Sequence, residues 1–287
     1  MKSKIWKTGV VLAMAIMQAV TVGAEGVKSF AFWKVNIICL QDAAMNHPQK
    51  LFTDTANTGY QQTEQAYESS VNVFAVCQES RVSLIDAGLD PMRGTLREKL
   101  RLAAINPEDV TDIFITHIHP DHVGGLLWEG KPLFPKATLH IAKEELDAWR
   151  LDGKRRGLAK YLEPYASRTD AFAFGSSLPG GFVPVKRAGH TPGHTIFRLP
   201  IHAGMEAIFV GDIVHAVALQ FPHTTFCASY DSDPQKAVAS RIETLFLPGL
   251  FFGAHFPFPG VAKSKCVMGG NPQWSFEYLP YVETEQK

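Results

Sequence analysis

The stretch THIHPDHVGG, Thr116 to Gly125, puts His117, His119, Asp121 and His122 into six consecutive positions. It follows directly on the short run DIFIT, residues 112–116, which reads as a buried strand. A chain of this kind must end a strand in a loop crowded with metal-binding side chains. In an extended loop, side chains two residues apart point to the same side, so His117 and His119 can meet one ion. Asp121 and His122 follow in the turn, point elsewhere and suit a second ion nearby. Pro120 stiffens the loop, and Gly124 and Gly125 let the backbone turn tightly beneath it. Imidazole nitrogen with carboxylate oxygen is a donor set for zinc, or for manganese, iron or cobalt.

Two ions need more donors than these four. Three later stretches supply them. AGHTPGHT (188–195) offers His190 and His194, FVGDIVH (209–215) offers Asp212, and FGAHFPFPG (252–260) offers His255. Each donor ends or flanks an apolar run, where loop-borne sites are built.

The rest of the chain alternates short apolar runs with amphipathic segments. Residues 71–77 and 82–86 read as adjacent strands. Residues 95–104 read as a helix on the spacing of Leu96, Leu100 and Ala103 or Ala104. Strands are expected at 137–141, 182–185, 195–199, 207–210, 250–254 and, with aromatic residues, 274–278. Helices are expected at 143–150 and at 233–246, the latter opened by Asp233-Pro234. No fixed-period repeat is present. The expectation is one α/β domain over residues 71–287, with residues 25–70 as an N-terminal extension packed on it.

Residues 1–24 are expected to be a cleaved secretory signal. Lys2, Lys4 and Lys7 precede a short apolar segment, and small residues end it at Ala24. Export places the mature protein in the periplasm or outside the cell, with no membrane contact after cleavage. The whole chain has 28 basic and 28 acidic side chains; removing the three lysines leaves 25 against 28. That slight acidity argues against nucleic acid as a partner and favours a small-molecule substrate. Cys39, Cys77, Cys227 and Cys266 form no C-x-x-C pair, and their pairing is open.

The set T-H-x-H-x-D-H (116–122), P-G-H (192–194), G-D (211–212) and A-H (254–255) resembles the metallo-beta-lactamase superfamily from about residue 71 to 260. The resemblance implies an αβ/βα four-layer sandwich with the site at one edge. It assigns His117, His119 and His194 to one ion, and Asp121, His122 and His255 to the other, with Asp212 bridging. His190 reads more readily as a supporting residue or backbone cap than as a ligand, and both stay open. Asp86, at the end of a strand, becomes the orienter of a histidine ligand. Two divalent ions, zinc first among them, lower the pKa of a water held between them to roughly 7 and give a bridging hydroxide. Asp121 is then the proton relay to the leaving group, beside the bridging Asp212.

An aspartate at the bridging position points away from the zinc beta-lactamases and toward lactonases and phosphotriesterases. Gly211–Ala237 and Gly253–Val261 are similar to methyl parathion hydrolase and its exported relatives. That similarity implies a hydrolase for a hydrophobic ester, lactone or organophosphate triester, in a group that is often homodimeric. It also names Trp149 as a pocket-wall candidate, for which a place in the helix core accounts equally well; Phe258, just beyond His255, is a weaker candidate from its position. Two alternatives stand beside this reading. One is another reaction on the same fold: a beta-lactamase, a glyoxalase or thioesterase, or a persulfide dioxygenase. The other is a non-catalytic metal-binding protein.

Overall fold

The computed structural model describes residues 25–61, 63–202, 204–267 and 273–278. The expected signal segment lies outside the described residues. Two sheets face one another. The first runs β1 (Val27–Phe32), β2 (Val35–Pro48), β4 (Ala66–Gln78), β5 (Arg81–Ile85), β6 (Val110–Ile115), β9 (Thr138–Ala142) and β10 (Thr169–Phe172). The second runs β11 (Val183–Lys186), β12 (Thr195–His202), β13 (Met205–Gly211), β15 (Leu250–Gly253), β16 (Val261–Val267) and β17 (Gln273–Tyr278). Two short ribbons join β3 (Phe52–Asp54) to β14 (Phe226–Ala228) and β7 (Leu127–Trp128) to β8 (Lys131–Pro132).

The period of two along each strand sets the layers. In β6, Ile113 and Ile115 pack outward with Leu96 and Leu100 of α1 (Leu96–Leu102), while Phe114 packs inward between the sheets. In β13, Phe209 points inward and Ile208 and Val210 point outward. Phe74, Phe114, Phe182, Phe197, Phe209 and Phe252 fill the space between the sheets, with ring centroids as close as 4.4 Å for Phe114 and Phe182. Each such ring contributes roughly 1.5–3 kcal/mol by leaving water. The outer layers are helical: α2 (Pro120–Val123), α3 (Lys143–Leu151) and α4 (Ala159–Leu162) lie with the first sheet's half, and α5 (Val217–Gln220) and α6 (Pro234–Leu245) with the second's. Asp233 opens α6 as expected, its carboxylate accepting the Lys236 N–H at 3.1 Å. The result is the four-layer αβ/βα sandwich.

Residues 25–70 are built differently from the expectation. They are not laid on a finished domain: β1 and β2 continue the first sheet, and β2 pairs with β4 from Val35↔Gln78 to Pro48↔Ala66. The boundary at residue 71 falls inside β4. The long polar second half of β2 hides this in the sequence, because only part of it is buried. Among the described residues, no helix is long and apolar enough to cross a membrane. Cys39, Cys77 and Cys227 are free thiols.

The central strands β5, β6 and β9 run parallel, as do β13 and β15. Parallel strands deliver their C-terminal ends to one edge, where sheet ligands are bound. His117, Asp212 and His255 leave their strands within two residues of those ends.

Candidate metal centre

Asp86 builds the first part of the site. It sits at φ +60°, a sparsely populated conformation for a residue with a Cβ. Its carboxylate accepts the Thr116 N–H at 2.8 Å and the Thr116 hydroxyl at 2.9 Å. It also accepts the Nδ1–H of His122 at 2.8 Å, which turns Nε2 of that ring inward. The ligand loop folds back tightly: a Cβ on Gly125 would stand 2.1 Å from the Ala87 carbonyl oxygen.

Three overlapping groups of side chains converge around Asp212. The first is His117, His119, His190 and Asp212; the second is Asp121, His122 and His255; the third shares Asp212 and His255 with them and adds His215. In the first, Nδ1 of His119 lies 2.9 Å from Nε2 of both His117 and His190. The Asp212 carboxylate stands between the groups. Oδ2 is 3.2 Å from Nε2 of His190 and 3.2 Å from Nε2 of His255, and Oδ1 is 3.0 Å from Nε2 of His122. His255 is aimed by its Nδ1–H, which donates to the Ser70 carbonyl at 2.9 Å. Asp231 accepts from Nδ1 of His190 at 2.8 Å in the same way.

Of the two histidines in the 188–195 loop, His190 stands with His117 and His119, and Nε2 of His194 faces the Asp212 backbone. His194 stands directly before β12, whose Thr195 N–H is tied to the Thr116 carbonyl at 2.9 Å. This pulls its ring under the Asp212 backbone, and its Nε2 accepts the Asp212 N–H at 3.0 Å. That nitrogen is spent on the protein. His190 lies at the open end of the same loop, free of the strand.

The donors fit a divalent ion. Nε2 of His122 and Oδ1 of Asp212 are buried and make no hydrogen bond, although they lie close to each other. Such orphaned polar atoms are costly unless something binds them. The charges are mutually adjusted. Burial opposes ionisation of Asp212, but His255, His122, His117 and His190 hold its carboxyl well below the usual range. Burial alone would make His190 hard to protonate; Asp212 and Asp231 overcome it and raise it to about 9. His194 goes the other way, lowered by burial and by His190 to about 3.

Several residues at the site gave no clear signal in the sequence. His215 lies 3.1 Å from Asp212 through Nε2, and its ring stacks 5.3 Å from that of His255. His47 of β2 stands edge-on to both, at 6.1 and 5.6 Å. Tyr230, 39 % exposed, covers His190 and His215 at 5.8 and 5.1 Å. Burial and the carboxylates of Asp212, Asp231 and Asp121 push its phenol well above the ordinary value. The two residues expected to line the pocket are placed elsewhere. Trp149 packs, partly buried, against the core cluster that includes Leu146 and Leu162, because α3 turns that face to the first sheet. Phe258 packs on the inter-sheet core. A cleft of about 890 Å³ lies beside α1, lined by residues such as Arg97, Trp128 and Leu133, and it includes none of the donors.

Residues 66–249 match the sequence profile of the metallo-beta-lactamase superfamily. The chain belongs to this superfamily. Its curated relatives match over limited stretches. The mouse protein "Metallo-beta-lactamase domain-containing protein 1" is 41% identical over 61 residues, 21% of this chain and 22% of that protein. "Uncharacterized protein YobT" of Bacillus subtilis (strain 168) is 27% identical over 139 residues, 44% of this chain and 56% of that one. The chain thus spans about a fifth and just over half of these relatives' lengths. Solved structures of the superfamily match more fully. "Hydrolase AbOPH in beta lactamase superfamily" superposes with a TM-score of 0.78 at 28% identity, covering 90% of this chain and 99% of that one. AidC, described as a dizinc quorum-quenching lactonase, superposes at 0.75 and 23% identity, covering 89% and 98%; at that identity it speaks for the superfamily fold alone.

Proposed function

We propose that this superfamily member is a metal-dependent hydrolase that holds two divalent ions, zinc first, and cleaves a neutral, hydrophobic ester, lactone or organophosphate triester. The observation that carries the reading is Asp212, whose two carboxylate oxygens face histidines of both donor groups. His117, His119 and His190 would hold one ion, Asp121, His122 and His255 the other, and Asp212 both. Such a pair of ions polarises a carbonyl or phosphoryl oxygen and makes water a nucleophile near neutral pH.

The protein's own part is orientation and proton handling. Asp86, Asp231 and the Ser70 carbonyl fix the ring orientations of His122, His190 and His255. Asp121 is half-buried and kept ionised against burial by His122 and His255. It can take up a proton as water adds and return it to the leaving oxygen. Tyr230, partly exposed, presents an aromatic face beside His190 and His215. Such a face suits an uncharged acyl or aryl group. The sequence resemblance of residues 211–237 and 253–261 to methyl parathion hydrolase supports the same substrate range.

The test is hydrolysis of a p-nitrophenyl ester, a long-chain acyl homoserine lactone and methyl parathion, measured side by side on metal-quantified protein with and without chelator. Cleavage of at least one, abolished by chelator and restored by zinc, is expected. Two bound ions per chain with no cleavage of any would defeat the substrate reading.

A further inference from the structure

Glu145 is fully buried, which is unusual for a glutamate. It lies in the first turn of α3, away from both donor groups. Its two carboxylate oxygens are divided between two loops. Oε1 accepts the N–H of Ile118 at 2.9 Å, and Oε2 accepts the N–H of Gly193 at 3.0 Å. Ile118 is the residue between His117 and His119. Gly193 belongs to the loop that carries His190. The same contact forces glycine at 193, since a Cβ there would stand 2.2 Å from the Glu145 backbone nitrogen.

We propose that Glu145 is a positioning residue: it cross-links the His117–His119 loop to the His190 loop and thereby sets the affinity of one ion position and not the other. This rests on the two-ion reading above. The asymmetry follows from what holds the backbone of each group. The His117 and His190 rings have their own partners in the Thr116 hydroxyl and Asp231, but the loops that carry His117, His119 and His190 are the two that Glu145 joins. His122 and His255 are aimed by Asp86 and by the Ser70 carbonyl, neither of which touches Glu145 in the bonds described.

The experiment is Glu145→Gln in the full chain. A carboxamide keeps the volume but offers one acceptor, and its NH2 must face the other N–H. Chelator-competition titration with zinc should resolve two binding phases in the wild type. In the variant, one phase should weaken by about 10–100-fold, the range typical of partners that orient ligands. The other should stay within about twofold. Equal weakening of both phases, or no change in either, overturns the proposal. A wild type that binds fewer than two ions instead defeats the two-ion reading. Amide exchange then still tests the clamp: the Ile118 and Gly193 amides should lose protection together in Glu145→Gln, while the Thr116 amide bonded to Asp86 keeps its own. Should the variant not fold, the wild type decides alone. Two amides closed by one carboxylate should exchange slowly and at a common rate, and clearly different rates overturn the proposal.

Discussion

The first sheet carries two clusters of histidine and aspartate, at opposite ends of the same strands. At the C-terminal end stand His117, His122 and their partners. Toward the N-terminal end of β6 stands buried Asp112, with buried His140 of β9 and the half-exposed Asp170 of β10. Residue type is alike, but satisfaction is not. His140 uses both nitrogens, 2.9 Å from Asp112 and 3.0 Å from Asp170. Asp112 is further held by Arg81 and Thr111. At the other end, His122 Nε2, Asp212 Oδ1, His194 Nδ1 and His215 Nδ1 are buried without a hydrogen bond. A cluster that closes on itself is part of the scaffold. One that leaves inward-facing donors unmatched is built for something that arrives from outside. Composition does not separate the two; hydrogen-bond accounting does.

The comparison breaks most visibly at Asp212. Asp212→Ala removes the carboxylate that both donor groups face. Hydrolysis should fall by more than the roughly 100-fold that loss of an orienting partner costs, with metal content reduced and the fold retained by circular dichroism. A variant that kept full metal and activity would leave the two-group arrangement without a role.

How much of this could be read from the chain follows from the same contrast. The loop 117–122 was legible because four donors in six positions have no bland explanation. The strands leading into it were legible because β6 is buried on both faces and reads as an apolar run. The choice between His190 and His194 was not legible. Both sit in one loop, and the difference lies in a tertiary bond, from the Asp212 amide to His194. β1 and β2 were missed as sheet strands because the latter half of β2 alternates only weakly in polarity. Trp149 was a pocket candidate by similarity, with the helix core an equal alternative, and Phe258 by its position beside His255; both pack partly buried against the core. Glu145 gave no signal at all: a glutamate in a helix's first turn is ordinarily a solvated residue.

The next effect in size sharpens the contrast by touching an orienter instead of a ligand. Asp86→Asn keeps an acceptor for Thr116 but weakens the hold on His122. Metal affinity should fall by about 10–100-fold, read by chelator competition. The matching change at the closed cluster, His140→Gln, should leave metal affinity unaltered and cost about 1–3 kcal/mol of stability, the range for stranding a buried partner. Metal loss at His140→Gln would mean that the two ends are not independent.

Chelating bound metal should destabilise the wild type and leave the His140 cluster unaffected. At free metal of about 100 times the dissociation constant, each bound ion contributes roughly 2.7 kcal/mol. Chelation should therefore lower the melting temperature by about 5–10 °C for each ion lost from a domain of this size. In Asp212→Ala the same chelation should do much less, which ties the shift to this site.

The smallest expected effect belongs to the closed cluster and appears only in acid. Burial favours the neutral form of Asp112, but hydrogen bonds from His140 and Thr111 and the Arg81 charge outweigh it and hold its carboxyl below the ordinary 3.8. A folded value below the unfolded one means that the unfolded chain binds the proton first. The stabilisation is therefore complete above about pH 4 and is lost as pH falls through the depressed folded value. Asp112→Asn removes that titration, so its stability curve should be flatter than the wild type's below about pH 4, and lower above it. Urea melts at a series of acidic pH values on metal-free protein isolate this slope from the centre, whose carboxylates also protonate in acid. Parallel curves for the two proteins would show that Asp112 carries no acid-dependent stability, and that the closed cluster is held by packing more than by charge.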